Sequence, residues 1–230
     1  MTKTARIQAF ALFAALTFTP GLAGAQPQET ERVDRTVAIR AGGQLRIKNF
    51  SGKVTITGSR RGDVAIQAIR RASRDRLDNI KLDVQETSSG VTIEANRKSD
   101  GWRGRDNNVV ETQLDIQVPE DVTLDVEVFS SDVHVTGVTG GQRLHTFYGN
   151  IDVKGATGGV DAETFSGDID VTLGQGAGGR VDFDSFSGSL RTDGGMVQRT
   201  SGRRRTTGTI GTGGNNDYRF KTFSGDASIR

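Results

Sequence analysis

An all-β fold built as a stack of repeated coils is predicted by three observations. A five-residue phrase recurs about every 18 residues after position 120. Apolar residues alternate with polar ones on both sides of that phrase. A glycine holds one phase of nearly every copy, where the chain must turn sharply.

The copies are Phe129-Ser130-Ser131-Asp132-Val133, Phe147-Tyr148-Gly149-Asn150-Ile151, Phe165-Ser166-Gly167-Asp168-Ile169 and Phe186-Ser187-Gly188-Ser189-Leu190. A degenerate Thr206-Thr207-Gly208-Thr209-Ile210 follows, then Phe223-Ser224-Gly225-Asp226-Ala227. The phrase also occurs once earlier, as Phe50-Ser51-Gly52-Lys53-Val54. Three and five residues before the Phe lie pairs such as Val126 and Leu124, or Phe220 and Tyr218. Four and six residues after it lie Val133 and Val135, or Ile169 and Val171. Each unit thus reads as two short strands joined at a glycine corner. Coils of this kind stack about 4.8 Å apart, strand over strand. In chain order, the stack is expected to place ladders of Phe and of Ile/Val inside one continuous core.

Two outward columns were weighed for charge. The residue after the corner glycine reads Asp132, Asn150, Asp168, Ser189, Thr209, Asp226, which keeps carboxylates apart. Two positions on, His134, Asp152, Asp170 and Arg191 include one like-charge contact. The degenerate unit has Ser201, Arg203 and Thr206 at core positions and carries Arg203-Arg204-Arg205. Either this coil bulges outward as a basic loop or the register slips there, and the loop is the expectation.

Residues 26–118 lack the period but contain alternating segments, so a β-rich N-terminal cap is expected over them and repeats over 119–230. A cap covers the apolar end of a stack. The final unit, Phe223 to Ile229, would leave a strand edge open. It is expected to be covered by a second copy, giving self-association through the C-terminal coil, or by the 199–216 loop.

Residues 1–25 read as a signal peptide. Lys3 and Arg6 precede the apolar run Ala9 to Phe18, then Pro20 and the small residues Ala23-Gly24-Ala25. Cleavage after Ala25 implies export to the periplasm or cell surface, with no membrane span remaining. Lys3 and Arg6 account for the formal +2, so the remainder is neutral, with 28 basic and 28 acidic groups. Beneath that total, residues 26–118 carry +4, 119–198 carry −9 and 199–230 carry +5. The absence of cysteine excludes disulfides, thiolate zinc sites and cysteine nucleophiles.

Val118-Pro119, the run Val133-His134-Val135-Thr136-Gly137-Val138-Thr139-Gly140 and the corner Thr164-Phe165-Ser166-Gly167-Asp168-Ile169 resemble the bacterial "Toastrack" family. Its members are adhesin-like β-strand-repeat envelope proteins of undefined function. The resemblance covers about residues 30–230. It implies a single-stranded parallel β-solenoid, a β-helix-like stack, and brings no catalytic residues with it.

Candidate chemistry is sparse. Asp152, Asp168 and Asp170 could supply the paired carboxyl groups of a polysaccharide hydrolase or lyase, but aspartates on strands and corners ordinarily serve solvation. His134 and His145 read as surface imidazoles, and no G-x-S-x-G elbow exists. Calcium candidates are Asp152 with Asp170, and Asp217 in the run Gly213-Gly214-Asn215-Asn216-Asp217. Arg61-Gly62-Asp63 reads as a turn. Arg199, Arg203, Arg204 and Arg205 are the candidates for an anionic partner such as an envelope glycan or lipopolysaccharide. A neutral exported chain without a recognition motif is not expected to bind nucleic acid. No cofactor is called for. The expectation is a non-catalytic envelope or surface protein serving as a scaffold or adhesion-like surface. The alternative is a polysaccharide-binding or polysaccharide-cleaving protein.

Overall fold

The computed structural model describes residues 28–102, 108–193, 195–202, 204–211 and 214–230. The signal-peptide reading falls outside the described residues. The fold is all-β, and its large sheet is mixed.

Six coils form the body of the stack, each a first arm that runs into the recurring Phe and a second arm that leaves the corner. β2 (Gln44–Ser59) and β7 (Thr123–Thr136) each make both arms of one coil. The next two are β8 (Gln142–Tyr148) with β9 (Ile151–Ala156), and β10 (Val160–Ser166) with β11 (Ile169–Leu173). The last two are β12 (Gly179–Ser187) with β13 (Leu190–Thr192), and β16 (Asn216–Ser224) with β17 (Ala227–Ile229). Every neighbouring pair of coils is parallel and in register, with one shift where Leu173 at the end of β11 meets Ala156 of β9.

The ends are antiparallel, which departs from the all-parallel solenoid. At one end β4 (Ile80–Thr87) pairs with β5 (Gly90–Lys98), which lies on the first arm of β2. On its second arm, β6 (Glu111–Pro119) carries β3 (Asp63–Ala72), which carries β1 (Glu29–Ala38). At the other end β14 (Val197–Ser201) and β15 (Arg205–Ile210) form a hairpin with β15 on β12. The degenerate repeat is therefore a pairing strand, neither a bulging coil nor a slipped one. A short helix, α1 (Arg74–Asn79), sets Leu77 in a satellite core with Ala72, Ile80 and Val110, against which Trp102 packs.

The order of coils also departs from the chain order. β16 and β17 lie between β10/β11 and β12/β13. The C-terminal coil has both edges paired, so the open edge that motivated self-association there does not exist. The early phrase at Phe50 is the first coil, and one hydrophobic cluster runs from Leu45 and Ile56 through Val126 and Ile151 to Phe220 and Ile229. The core thus crosses the boundary expected near residue 118. Volumes interlock along it: Ala162 lies between Leu144 and Phe220, and Val160 beside Tyr218.

Ile and Val form the expected inner ladders, but the phenylalanines do not. Leu124, Val126 and Val128 point inward by strand alternation, and Phe129 is the next residue, so it points outward. Phe50, Phe129, Phe147, Phe165, Phe186 and Phe223 are 38–55% exposed.

The glycine corner is a matter of space. Gly167 has φ +150°, and a Cβ there would stand 2.1 Å from the Gly149 carbonyl oxygen of the coil beneath. Gly167→Ala is expected to cost about 2–4 kcal/mol in urea denaturation, since backbone on both sides must move. Deleting residues 214–230 removes an inner coil. Limited proteolysis should then cut the 179–211 segment at least roughly tenfold faster than in the full chain; equal protection would mean that the coils stack in chain order.

Candidate functional site

The site begins at the corner. Register puts each Phe over its counterpart, giving the ladder Phe50, Phe129, Phe147, Phe165, Phe223, Phe186. Successive ring centroids are 4.8, 5.1, 4.6, 4.8 and 4.8 Å apart, with interplanar angles of 2–16°. The six rungs span about 24 Å, five strand spacings. Offset stacks of this kind contribute about 0.5–1.5 kcal/mol per pair beyond area burial. Tyr148 sets its ring edge-on to Phe129, Phe147 and Phe165 at 4.7–6.4 Å. Arg204 closes one end, its guanidinium carbon 4.6 Å from the Phe186 centroid.

Beside the ladder runs an open groove of about 670 Å³. Its other wall is the outward residue two positions before the Phe in every coil but the first. Down the stack this column reads Lys48, Glu127, His145, Glu163, Lys221, Asp184. Lys48 meets Glu127 at 3.3 Å and Lys221 meets Glu163 at 2.7 Å. The Lys221 ammonium is held above its ordinary pKa by the hydrogen bond to Glu163. Two residues further from the corner, a second column reads Arg46, Asp125, Arg143, Asp161, Arg219, Asp182. Arg46 pairs with Asp125 at 2.9 Å, and Arg205 of β15 engages both carboxylate oxygens of Asp182. That double hydrogen bond lowers the Asp182 pKa and raises that of Arg205.

On the far side of the corner, each coil is tied to the next by a side chain. The backbone N–H of Asn150 donates to Asp132, that of Asp168 to Asn150, that of Asp226 to Asp168 and that of Ser189 to Asp226, all at 2.8–2.9 Å. This is why the phrase carries Asp or Asn after its glycine. The position before the Phe is buried and polar in several coils: the Thr146 hydroxyl donates to the Ser131 carbonyl and that of Thr164 to the Gly149 carbonyl.

Residues 120–230 match the sequence model of the family described as Toastrack DUF4097. The chain carries a Toastrack domain. Its fold is shared with a candidate cell-adhesion protein of Clostridium sporogenes, at 12% identity and TM-score 0.64, over 87% of this chain and 99% of that one. A candidate adhesin of Bacteroides fragilis aligns over 90% of this chain and 100% of its own at 14% identity, with a TM-score of 0.31 that carries no structural argument. No curated protein matches the chain.

The Toastrack match supplies five of the six rungs, and β2 adds Phe50. Of the residues singled out for an anionic partner, Arg204 lies at the end of the groove, on Phe186. Arg205 is engaged by Asp182. Arg199 lies on β14 with its side chain outside the described residues, as is all of Arg203. The calcium candidates Asp152 and Asp170 are neighbours across β9 and β11. Asp152 faces Lys154 at 3.2 Å and His134 at 3.6 Å, and Asp170 accepts from the Ser228 hydroxyl. Asp217 lies on the other arm, 3.2 Å from Arg219. Among the described residues no cluster of three or more His, Asp or Glu side chains suited to a metal ion is assembled. Arg61-Gly62-Asp63 joins β2 to β3, with Arg61 paired to Asp63 at 2.5 Å. The outward Phe column, Tyr148 and the flanking charges escaped the sequence reading. Their signal was parity, because core positions three and five residues before the Phe lie on the face opposite to it.

One member of the corner ladder, Asp226, is expected to contribute to the acid response of the Toastrack domain. The Ser189 N–H, then the Ser189 hydroxyl, holds the Asp226 carboxyl below its ordinary range. Because the folded value is the lower one, this stabilisation is full above about pH 4, the unfolded value, and is lost as pH falls through the folded value. Asp226→Asn keeps an acceptor, as Asn150 does in the same column. It is expected to reduce the drop in Tm between pH 5 and pH 2.5; an unchanged drop would remove Asp226 from the acid response.

Proposed function

We propose that this is a non-catalytic, exported envelope or surface protein, a rigid β-stack whose ladder groove is an adhesion-like contact face. The observation that carries the reading is the outward ladder. A continuous apolar row on an exposed sheet face is a solubility liability, and such rows accompany interaction surfaces. Export rests on the signal-peptide pattern over residues 1–25. The fold shared with a candidate cell-adhesion protein agrees with this role.

The carboxylates of the stack have structural work. Asp168 receives the Asp226 N–H, Asp152 faces a lysine, and Glu127 and Glu163 are paired with lysines along the groove. These four are engaged and are not disposed as the pair of acids a glycosidase needs. The four inner Phe rings turn both faces to their neighbours, so the groove offers ring edges and polar side chains. Sugar stacking needs ring faces, and a protein partner therefore fits the groove better than a polysaccharide.

Fractionation of tagged cells should place the chain outside the cytoplasm, beginning at Gln26. Purified protein should bind envelope fractions, and the Phe147→Ser/Phe165→Ser variant, checked for retained β-structure by circular dichroism, should bind roughly tenfold less. Cytoplasmic retention, unchanged binding by the variant, or binding and cleavage of glycans on a panel would each overturn the reading.

A further inference from the structure

We propose that the ladder face docks onto a second copy of this chain, antiparallel, about a two-fold axis lying between the Phe147 and Phe165 rungs. This rests on the reading of the ladder groove as the contact face and names its occupant.

The argument is the order of charges. Number the rungs from the Phe50 end. A two-fold axis running along the strand direction, in the plane of the face, sets rung one over rung six, two over five and three over four. Phe then faces Phe, and each charge column faces itself reversed. In the column beside the ladder, Lys48 meets the second copy's Asp184, Glu127 meets Lys221, and His145 meets Glu163. In the outer column, Arg46 meets Asp182, Asp125 meets Arg219, and Arg143 meets Asp161. No rung of either column opposes like charges. The outer column alternates in sign, and an alternating column with an even number of rungs has this property; the inner column shares it with His145 standing between two glutamates. With the two stacks parallel, a two-fold along the stack sets a charge column against its own copy, Glu127 on Glu127, or the inner column against the outer, Glu127 on Asp125 and Glu163 on Asp161, and either way opposes like charges rung by rung. The face is thus self-complementary in one orientation, the condition for an isologous two-fold interface.

The ring edges fit the same arrangement. Rungs repeat at the strand spacing in both copies, so each ring edge of one ladder meets a ring edge of the other along its whole length. A face of six rungs is small for a permanent dimer, and association on the order of 10 μM is expected.

Sedimentation equilibrium of the purified chain from 1 to 200 μM should show a monomer–dimer equilibrium. Glu127→Lys and Lys221→Glu each oppose like charges twice in a homodimer, and each should weaken self-association roughly tenfold or more. Mixed together, both contacts become opposite in sign and dimers should return. The chain has no cysteine, so Tyr148→Cys gives an independent readout near the axis. It should form disulfide dimers on mild oxidation, whereas Asp170→Cys on the other arm should not. A wild-type monomer at 200 μM, charge variants that dimerise like the wild type, or a mixture that stays monomeric while both variants are folded would overturn the proposal. If ladder-dependent binding to envelope fractions persists beside a monomeric wild type, the contact face stands and the second copy is replaced by another protein. Loss of both would remove the face itself.

Discussion

Register is the constraint on which the rest of this structure depends. Parallel pairing with matched residues sets every side chain directly above its counterpart in the next coil. Each position of the repeat therefore becomes a column about 24 Å tall, and each column must be physically compatible with itself. Apolar columns fill the space between the arms. The Asp/Asn column carries hydrogen bonds from coil to coil. Glycine recurs at the corner because adjacent backbones come so close that a Cβ would lie about 2 Å from a carbonyl oxygen.

The columns before the corner favour the observed order of the coils. In chain order Asp161 would lie on Asp182 and Glu163 on Asp184, two like-charge contacts side by side. Placing the C-terminal coil between them interposes Arg219 and Lys221, and neither column then sets like charges side by side. Packing agrees, since Phe220 falls next to Ala162 and Tyr218 next to Val160. The coil of residues 179–192 is displaced outward, where β15 covers it and Arg205 reaches back to Asp182. A chain that must leave a gap and later fill it makes contacts of high sequence separation, a feature associated with slow folding.

Much of this was legible in the sequence. The repeat, its two arms, the corner glycine and the all-β class follow from alternation and spacing alone. The coil order was legible in principle, but only in the columns before the corner; the columns after it point the other way, since the observed order sets Asp226 on Asp168, against the expected spacing of carboxylates, and Ser228 between Asp170 and Arg191. The outward phenylalanines were misplaced because a recurrent aromatic was equated with core, although its odd offset from Leu124 and Val126 contradicts that. The antiparallel ends could not be read, since Ser201 to Ile210 keeps the glycine phase of the repeat while reversing direction. Nothing local distinguishes a strand that pairs parallel from one that pairs antiparallel when both alternate.

The economy of aromatic residues argues for the ladder as the functional element. After the first 25 residues the chain has eight phenylalanines, of which six form the outward ladder and two, Phe183 and Phe220, enter the core. The core is otherwise Val, Ile, Leu and Ala, with Tyr218, which suffices because the arms lie close together. Stacking energy alone could favour Phe, but an arrangement serving stability would bury the rings where they gain most. Keeping them 38–55% exposed, beside charge columns that set no like charges side by side along the same six rungs, is what a surface built to be covered requires.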